Sequence, residues 1–184
     1  MGKKIKNPIS PNKKVNNTIE LEDLDSHLYN NYNMVIDFSF EGVFVSCKQG
    51  TFSNYLQSDK AFIQKFRDMM TDVQNLSQKK PKIIFNSGNY RHCHKTKREE
   101  LATDIIKSIF KKIGKEDNYF EQEVGGEPIY QIGLQSEVRL FGVIRGNIFR
   151  VYFIDYYHDL EFDQTKNERN KKNCKFCAIF STLK

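Results

Sequence analysis

The pattern of apolar residues in this chain predicts an α+β fold, an antiparallel or mixed sheet of about five to seven strands with two main helices packed on it. Three observations carry the expectation. Residues 138–160, VRLFGVIRGNIFRVYFIDYYHDL, hold two runs of aromatic and β-branched residues separated by Gly146-Asn147, which is a hairpin signal. Residues 59–77 and the stretch from Thr96 to Gly114 carry apolar residues three and four apart, the spacing of amphipathic helices. With 184 residues, one ordinary core fits and a second would be cramped.

Residues 1–31, beginning MGKKIKNPISPNKKV, are rich in Lys, Asn and Pro and are expected to form a flexible basic arm, its last part a polar or helical lead-in to a single α+β domain at 32–184. The alternation of Val35, Asp37 and Ser39 with Ile36, Phe38 and Phe40 predicts a strand, and Glu41-Gly42 a turn into a second run, Val43 to Cys47. Ser58 is expected to cap the first helix, with Phe62, Ile63, Phe66, Met69, Met70, Val73 and Leu76 forming its apolar face. Lys82 to Phe85 is short, apolar and β-like. Thr96 and Glu99 have the spacing of a capping box for the second helix, buried through Leu101, Ala102, Ile105, Ile106, Ile109 and Ile113. A connecting excursion with a short strand at 120–124, a strand at 129–134 and the hairpin follow. A last apolar segment, 178–180, is expected to add an edge strand.

No apolar run approaches the length needed to cross a bilayer, and the N-terminus has no secretory core, so a cytoplasmic protein without membrane contact is expected. Met-Gly opens the chain, but Lys6 stands where a myristoylation motif needs Ser or Thr. Four cysteines in such a compartment read as thiols or metal ligands. A net charge of +6 favours phosphate-bearing partners, RNA or other nucleic acid, although a solvated Lys-rich surface gives the same balance.

Two polar clusters carry candidate chemistry. In the segment around His92-Cys93-His94, an extended backbone would put both imidazoles on one side, a pairing suited to general acid–base work or to zinc. Lys95, Thr96, Lys97 and Arg98 lead into a helix N-terminus, which attracts phosphate. Cys174-x-x-Cys177 is half of a zinc site that His92 and His94 could complete; apart from that alternative, no cofactor or metal is expected. The second cluster lies along the hairpin: Arg139, Arg150, Tyr152, Tyr157 and His158.

The words Val138-Arg139-Leu140-Phe141-Gly142-Val143 and Ile148-Phe149-Arg150-Val151-Tyr152-Phe153-Ile154 resemble the C-terminal strands of the RelE/HigB-type toxin superfamily, over about a quarter of the chain. The resemblance implies a metal-independent endoribonuclease of a toxin-antitoxin or defence system, with an antitoxin or other protein as partner. Only Arg139 falls on a position of that family's motif; Arg150, Tyr152 and His158 match by local chemistry. The chain departs from the family in its size, its additional strands, its HxH segment and the lack of a Lys-Lys ending.

Cleavage of RNA by attack of a 2′-hydroxyl needs a base, an acid and cations for the phosphorane. His158, His92 and His94 are candidates for base and acid, Arg139 and Arg150 for charge stabilisation, and Tyr152 and Tyr157 for stacking bases. The alternative is a non-catalytic nucleic-acid- or protein-binding module of mobile-element origin, with or without structural zinc. The two expectations part on geometry: catalysis requires the HxH segment and the hairpin exit to share one cleft.

Overall fold

The computed structural model describes residues 21–86, 90, 92–116, 118–135, 137–161 and 174–177. They form an α+β fold of a mixed five-stranded sheet, a two-stranded sheet and five helices. The strands are β1 (Val35–Asp37), β2 (Lys48–Gln49), β3 (Phe52–Ser53), β4 (His94–Lys95), β5 (Tyr130–Gly133), β6 (Arg139–Arg145) and β7 (Ile148–Asp155). The helices are α1 (Leu21–Asn31), α2 (Asp59–Leu76), α3 (Pro81–Asn86), α4 (Glu99–Lys112) and α5 (Tyr119–Glu123).

The main sheet has the order β1-β7-β6-β5-β4. Strands β4, β5, β6 and β7 pair antiparallel in succession, whereas β1 runs parallel to β7, in register from Val35 opposite Ile148 to Asp37 opposite Arg150. The hairpin β6–β7 is its centre. Gly146, with φ +57°, takes the first position of a two-residue turn, where glycine suits the twist of the strands. A bulge interrupts the ladder between Phe141 and Gly142. A Cβ at Gly142 would lie 1.9 Å from the Arg150 carbonyl oxygen, so the bulge has room only for glycine.

Aromatic contacts tie the helices to this centre. Phe110 of α4 meets Tyr152 edge-on, Phe85 of α3 packs on Tyr130 and Phe149, and Phe62 of α2 meets Tyr156. Phe141 and Phe153 stack across β6 and β7 at 4.7 Å between centroids, and Phe52 of β3 meets Phe153 edge-on. The core is thus built on the hairpin's side chains, with Leu140, Phe141, Val143, Phe149, Val151, Tyr152 and Phe153 all 0% exposed.

Several local expectations are corrected. The run after β1 does not form a hairpin: Asp37 accepts from the Ser39 amide, Val43 and Val45 donate to the carbonyls of Phe40 and Gly42, and these tight turns interrupt strand pairing. Residues 82–85 belong to helix α3, with Pro81 in its first position, where proline's fixed φ is favourable. Residues 120–124 likewise are mostly helical, in α5. The polar or helical lead-in expected at the end of the basic arm is, over residues 21–31, helix α1, which touches α3 and sets Leu28 close to Gly146. Residues 1–20 and the apolar segment 178–180 lie outside the described residues. Among the described residues no helix is long and apolar enough to cross a membrane.

Candidate active site

The exit of β7 is a tight turn organised by one buried carboxylate. Asp155, 0% exposed, accepts backbone N–H bonds from Tyr157 at 3.0 Å, Asp159 at 2.6 Å and Leu160 at 2.8 Å. Burial raises its pKa to about 6, against the opposing pull of these three donors, so it is ionised at neutral pH. The turn forces His158 into the left-handed region, φ +54°, the one non-glycine residue so placed among those described. Such a backbone is unfavourable for a residue with a Cβ and persists where the surroundings hold it.

His158 is thereby presented to Arg139 and His92. Arg139 begins β6 opposite Asp155, is 5% exposed, and donates through Nη1 to the carbonyls of Val138 at 2.9 Å and Leu134 at 3.4 Å. Its Nη2 lies 3.4 Å from His158 Nδ1. A guanidinium has only protons to give, so this contact assigns Nδ1 as the unprotonated nitrogen. The ring of His92 meets that of His158 edge-on, 6.0 Å between centroids. Burial, then Arg139, then His92 hold the His158 pKa down to about 4, so the imidazole is neutral at pH 7.

His92 owes its position to the adjacent strand. Its carbonyl accepts from the Gly133 amide at 2.9 Å and the Gln131 side chain at 3.1 Å. A Cβ on Gly133 would fall 2.2 Å from the His92 Cβ, so the close approach of the two segments requires glycine there. His92 precedes β4, and His94, in β4, is turned to a different partner: its Nε2 lies 3.7 Å from Glu161 Oε2, while Nδ1 is 2.8 Å from the Lys95 carbonyl.

Glu161 is the residue that sequence reasoning missed. Its Oε1 accepts from the Thr96 hydroxyl at 2.7 Å and the Lys97 amide at 2.9 Å, and its charge raises the pKa of both His158 and Arg139. It therefore stands where a phosphate was expected at the start of α4, and the Thr96–Glu99 capping box gives way to this longer-range pairing. Arg98 is the N-cap of α4 without a side-chain cap bond, and its guanidinium reaches the Leu160 carbonyl at 3.2 Å. Lys95 pairs with Glu99 at 3.0 Å. The available signal was a carboxylate three residues beyond His158, in the word His158-Asp159-Leu160-Glu161.

Three of the expected site residues lie apart from this cluster or face away from solvent. Arg150 pairs with Asp37 at 3.0 Å and Glu123 at 2.5 Å toward the other end of the hairpin. Tyr152 is 0% exposed and its hydroxyl bonds Glu123, so it has no face to offer a base. Tyr157, 9% exposed, carries Lys65 Nζ 4.6 Å from its ring centroid and meets Cys174 Sγ at 3.6 Å. The four sulfur and nitrogen candidates for zinc are not gathered either. Cys174 is at Tyr157, Cys177 accepts from the Ser46 amide, His92 is at His158 and His94 at Glu161. Among the described residues no group of three or more His, Cys, Asp or Glu side chains is disposed to hold a metal ion.

The cluster thus comprises an imidazole whose Nδ1 faces a guanidinium, that buried guanidinium, a second imidazole in ring contact and a carboxylate that anchors a third. No solved structure matches the chain. It is similar, at 25% identity over 179 residues covering 97% of this chain and 95% of the relative, to the protein named Uncharacterized protein UU032 of Ureaplasma parvum serovar 3 (strain ATCC 700970). The family model described as Uncharacterised protein UU032 matches residues 39–184, a span that contains every residue of the cluster, and the chain belongs to that family.

Proposed function

We propose that this protein is an RNA-directed, metal-independent endoribonuclease of the cytoplasm, RelE-like in its use of side chains on a sheet surface, and active in a toxin-antitoxin or defence system. The observation that supports the reading is the meeting of His92, His158 and Arg139, contributed by three separate stretches of the chain, at one end of the sheet. RNA entering between Arg139 and His158 replaces their mutual contact with two better ones. The guanidinium donates to a phosphate oxygen, and Nδ1 accepts the proton of the neighbouring 2′-hydroxyl.

The 2′-oxygen then attacks phosphorus, the bond from phosphorus to the 5′-oxygen breaks, and His92, entering the step as the imidazolium, delivers its proton to the departing 5′-oxygen and is left as the neutral imidazole. The products are a 2′,3′-cyclic phosphate and a free 5′-hydroxyl. Arg139 offsets the charge that grows on the phosphorane. Glu161 acts as a positioning residue, holding His94 against the cluster and fixing the start of α4 to the end of the β7 turn.

Incubation of the purified protein with end-labelled RNA, with and without EDTA, tests the reading. Cleavage that persists in EDTA, leaves cyclic phosphate ends and disappears in a His158→Ala/Arg139→Ala double variant is the expected result. Salt-dependent RNA binding without turnover would replace the nuclease by a non-catalytic binding module.

A further inference from the structure

Behind the histidine cluster a cavity of about 350 Å³ opens between the C-terminal half of α2 and the end of β5. Its walls include Asp72, Leu76, Lys79, Tyr90, Leu134 and Gln135. It shares three residues' surroundings with the candidate active site. The Leu134 carbonyl accepts from Arg139, the Gly133 amide donates to His92, and Tyr90 precedes His92 by two residues. A molecule seated in the cavity is therefore one peptide away from the guanidinium.

The chemistry of the lining is specific. Asp72 is 8% exposed, and its Oδ2 accepts the Gln135 amide at 2.9 Å, which fixes the carboxylate and leaves Oδ1 and the second lone pair of Oδ2 as a pair of acceptors for a ligand. An ionised carboxylate accepts and does not donate, so its complement is an edge with adjacent N–H groups. Among the RNA bases, guanine alone presents a ring N–H beside an amino group. Uracil places a single N–H between two carbonyl oxygens, and adenine and cytosine place their amino group beside an unprotonated ring nitrogen. Leu76, Leu134 and the half-buried Tyr90 give the apolar and aromatic walls that receive the faces of a base. The volume falls within the range of small-ligand sites, and Lys79 at the wall favours a phosphate-bearing ligand.

We propose that this cavity is the base subsite of the enzyme and selects guanine through Asp72; the proposal rests on the ribonuclease reading above. Titration of the full chain with the four ribonucleoside 3′-monophosphates, followed by calorimetry, tests it without requiring turnover. The guanosine nucleotide is expected to bind at least about 10-fold more tightly than the other three, the discrimination of one good two-point base contact. Asp72→Asn keeps an acceptor for Gln135 and turns the ligand-facing atom into a donor, and should bring the four affinities within about 3-fold of one another. Asn75→Trp, a change at an exposed residue of the cavity wall, should weaken the guanosine nucleotide by blocking entry without touching the core.

Equal affinities in the wild type, or a guanosine preference that survives Asp72→Asn and Asn75→Trp, would overturn the subsite. Cleavage of RNA without base preference overturns the subsite and leaves the ribonuclease standing. A guanosine preference lost in Asp72→Asn, in a chain that cleaves no RNA, overturns the ribonuclease and retains the cavity as a nucleotide site.

Discussion

The two ends of the β6–β7 hairpin carry similar residues and treat them differently. At the turn end, Arg145 pairs with Glu127 at 2.7 Å, and Arg150 pairs with both Asp37 and Glu123. These partners raise the pKa of each guanidinium. At the exit end, Arg139 faces carbonyls and an imidazole, its pKa is lowered by burial, and its neighbour His158 is kept neutral on a left-handed backbone. Charge is matched and half-exposed at one end, desolvated and strained at the other. The difference teaches that arginine on a strand does not by itself mark a candidate site; perturbed protonation and backbone strain together are what single out the exit end as the candidate.

The largest expected effect tests the exit end. His158→Ala should lower RNA cleavage about 100- to 10,000-fold, the range for loss of a positioned proton acceptor, and Arg139→Lys should lower it while retaining the charge, since the guanidinium's second donor to phosphate is gone. Single-turnover rates on a labelled RNA decide the matter. Unchanged rates in His158→Ala would place the chemistry elsewhere.

Next in size is a test of the bulge that separates the two ends. Gly142→Ala drives a methyl into the Arg150 carbonyl within a fully buried ladder and should cost at least about 3 kcal/mol, read as a lowered midpoint of urea unfolding. A variant as stable as wild type would show that the hairpin does not depend on that close approach.

How much of this was legible in the sequence follows from the range of the interactions involved. The hairpin and helices α2 and α4 were readable because periodicity reports burial over eight or more residues. Ser58 as the cap of α2 was readable because its bond to the Ala61 amide is local. The short segments 82–85, with three apolar residues, and 120–124, with two, were expected as strands, since four or five residues fit either a strand or one helical turn and packing against the sheet decides. Within the site, the residue types at His92, His158 and Arg139 were legible. Their meeting was not, because Gly133 and the Asp155-centred turn bring them together across the sheet. Glu161 was invisible for the same reason: Thr96 had a plausible local partner in Glu99 and takes a distant one instead.

A pH measurement sharpens the comparison further. With its pKa held down to about 4, His158 in the folded chain binds fewer protons than in the unfolded chain between pH 6.5 and about 4. Its contribution to stability is therefore complete above pH 6.5 and is lost as pH falls through that window. Asp155, raised to about 6, works in the opposite direction between pH 3.8 and 6 and is common to wild type and variant. His158→Gln should thus gain stability relative to wild type as the pH falls from 6.5 to 4, seen as a shrinking or reversing difference in Tm. A difference that stays constant with pH would mean that His158 titrates normally.

The smallest effect belongs to the turn end, and its smallness is the informative result. Arg150 bridges Asp37 and Glu123 with its side chain 37% exposed, so water screens both pairs and competes for every donor. Exposed ion pairs contribute about 0–1 kcal/mol, and Arg150→Met keeps the stem packed along β7 while removing the charge. The variant should lose no more than about 1 kcal/mol in urea unfolding and cleave RNA at the wild-type rate. A loss of cleavage comparable to that of His158→Ala, with the fold intact, would undo the division between the two ends, because it would mean that the phosphate path runs the length of the hairpin and that matched charges at the turn are released to meet it.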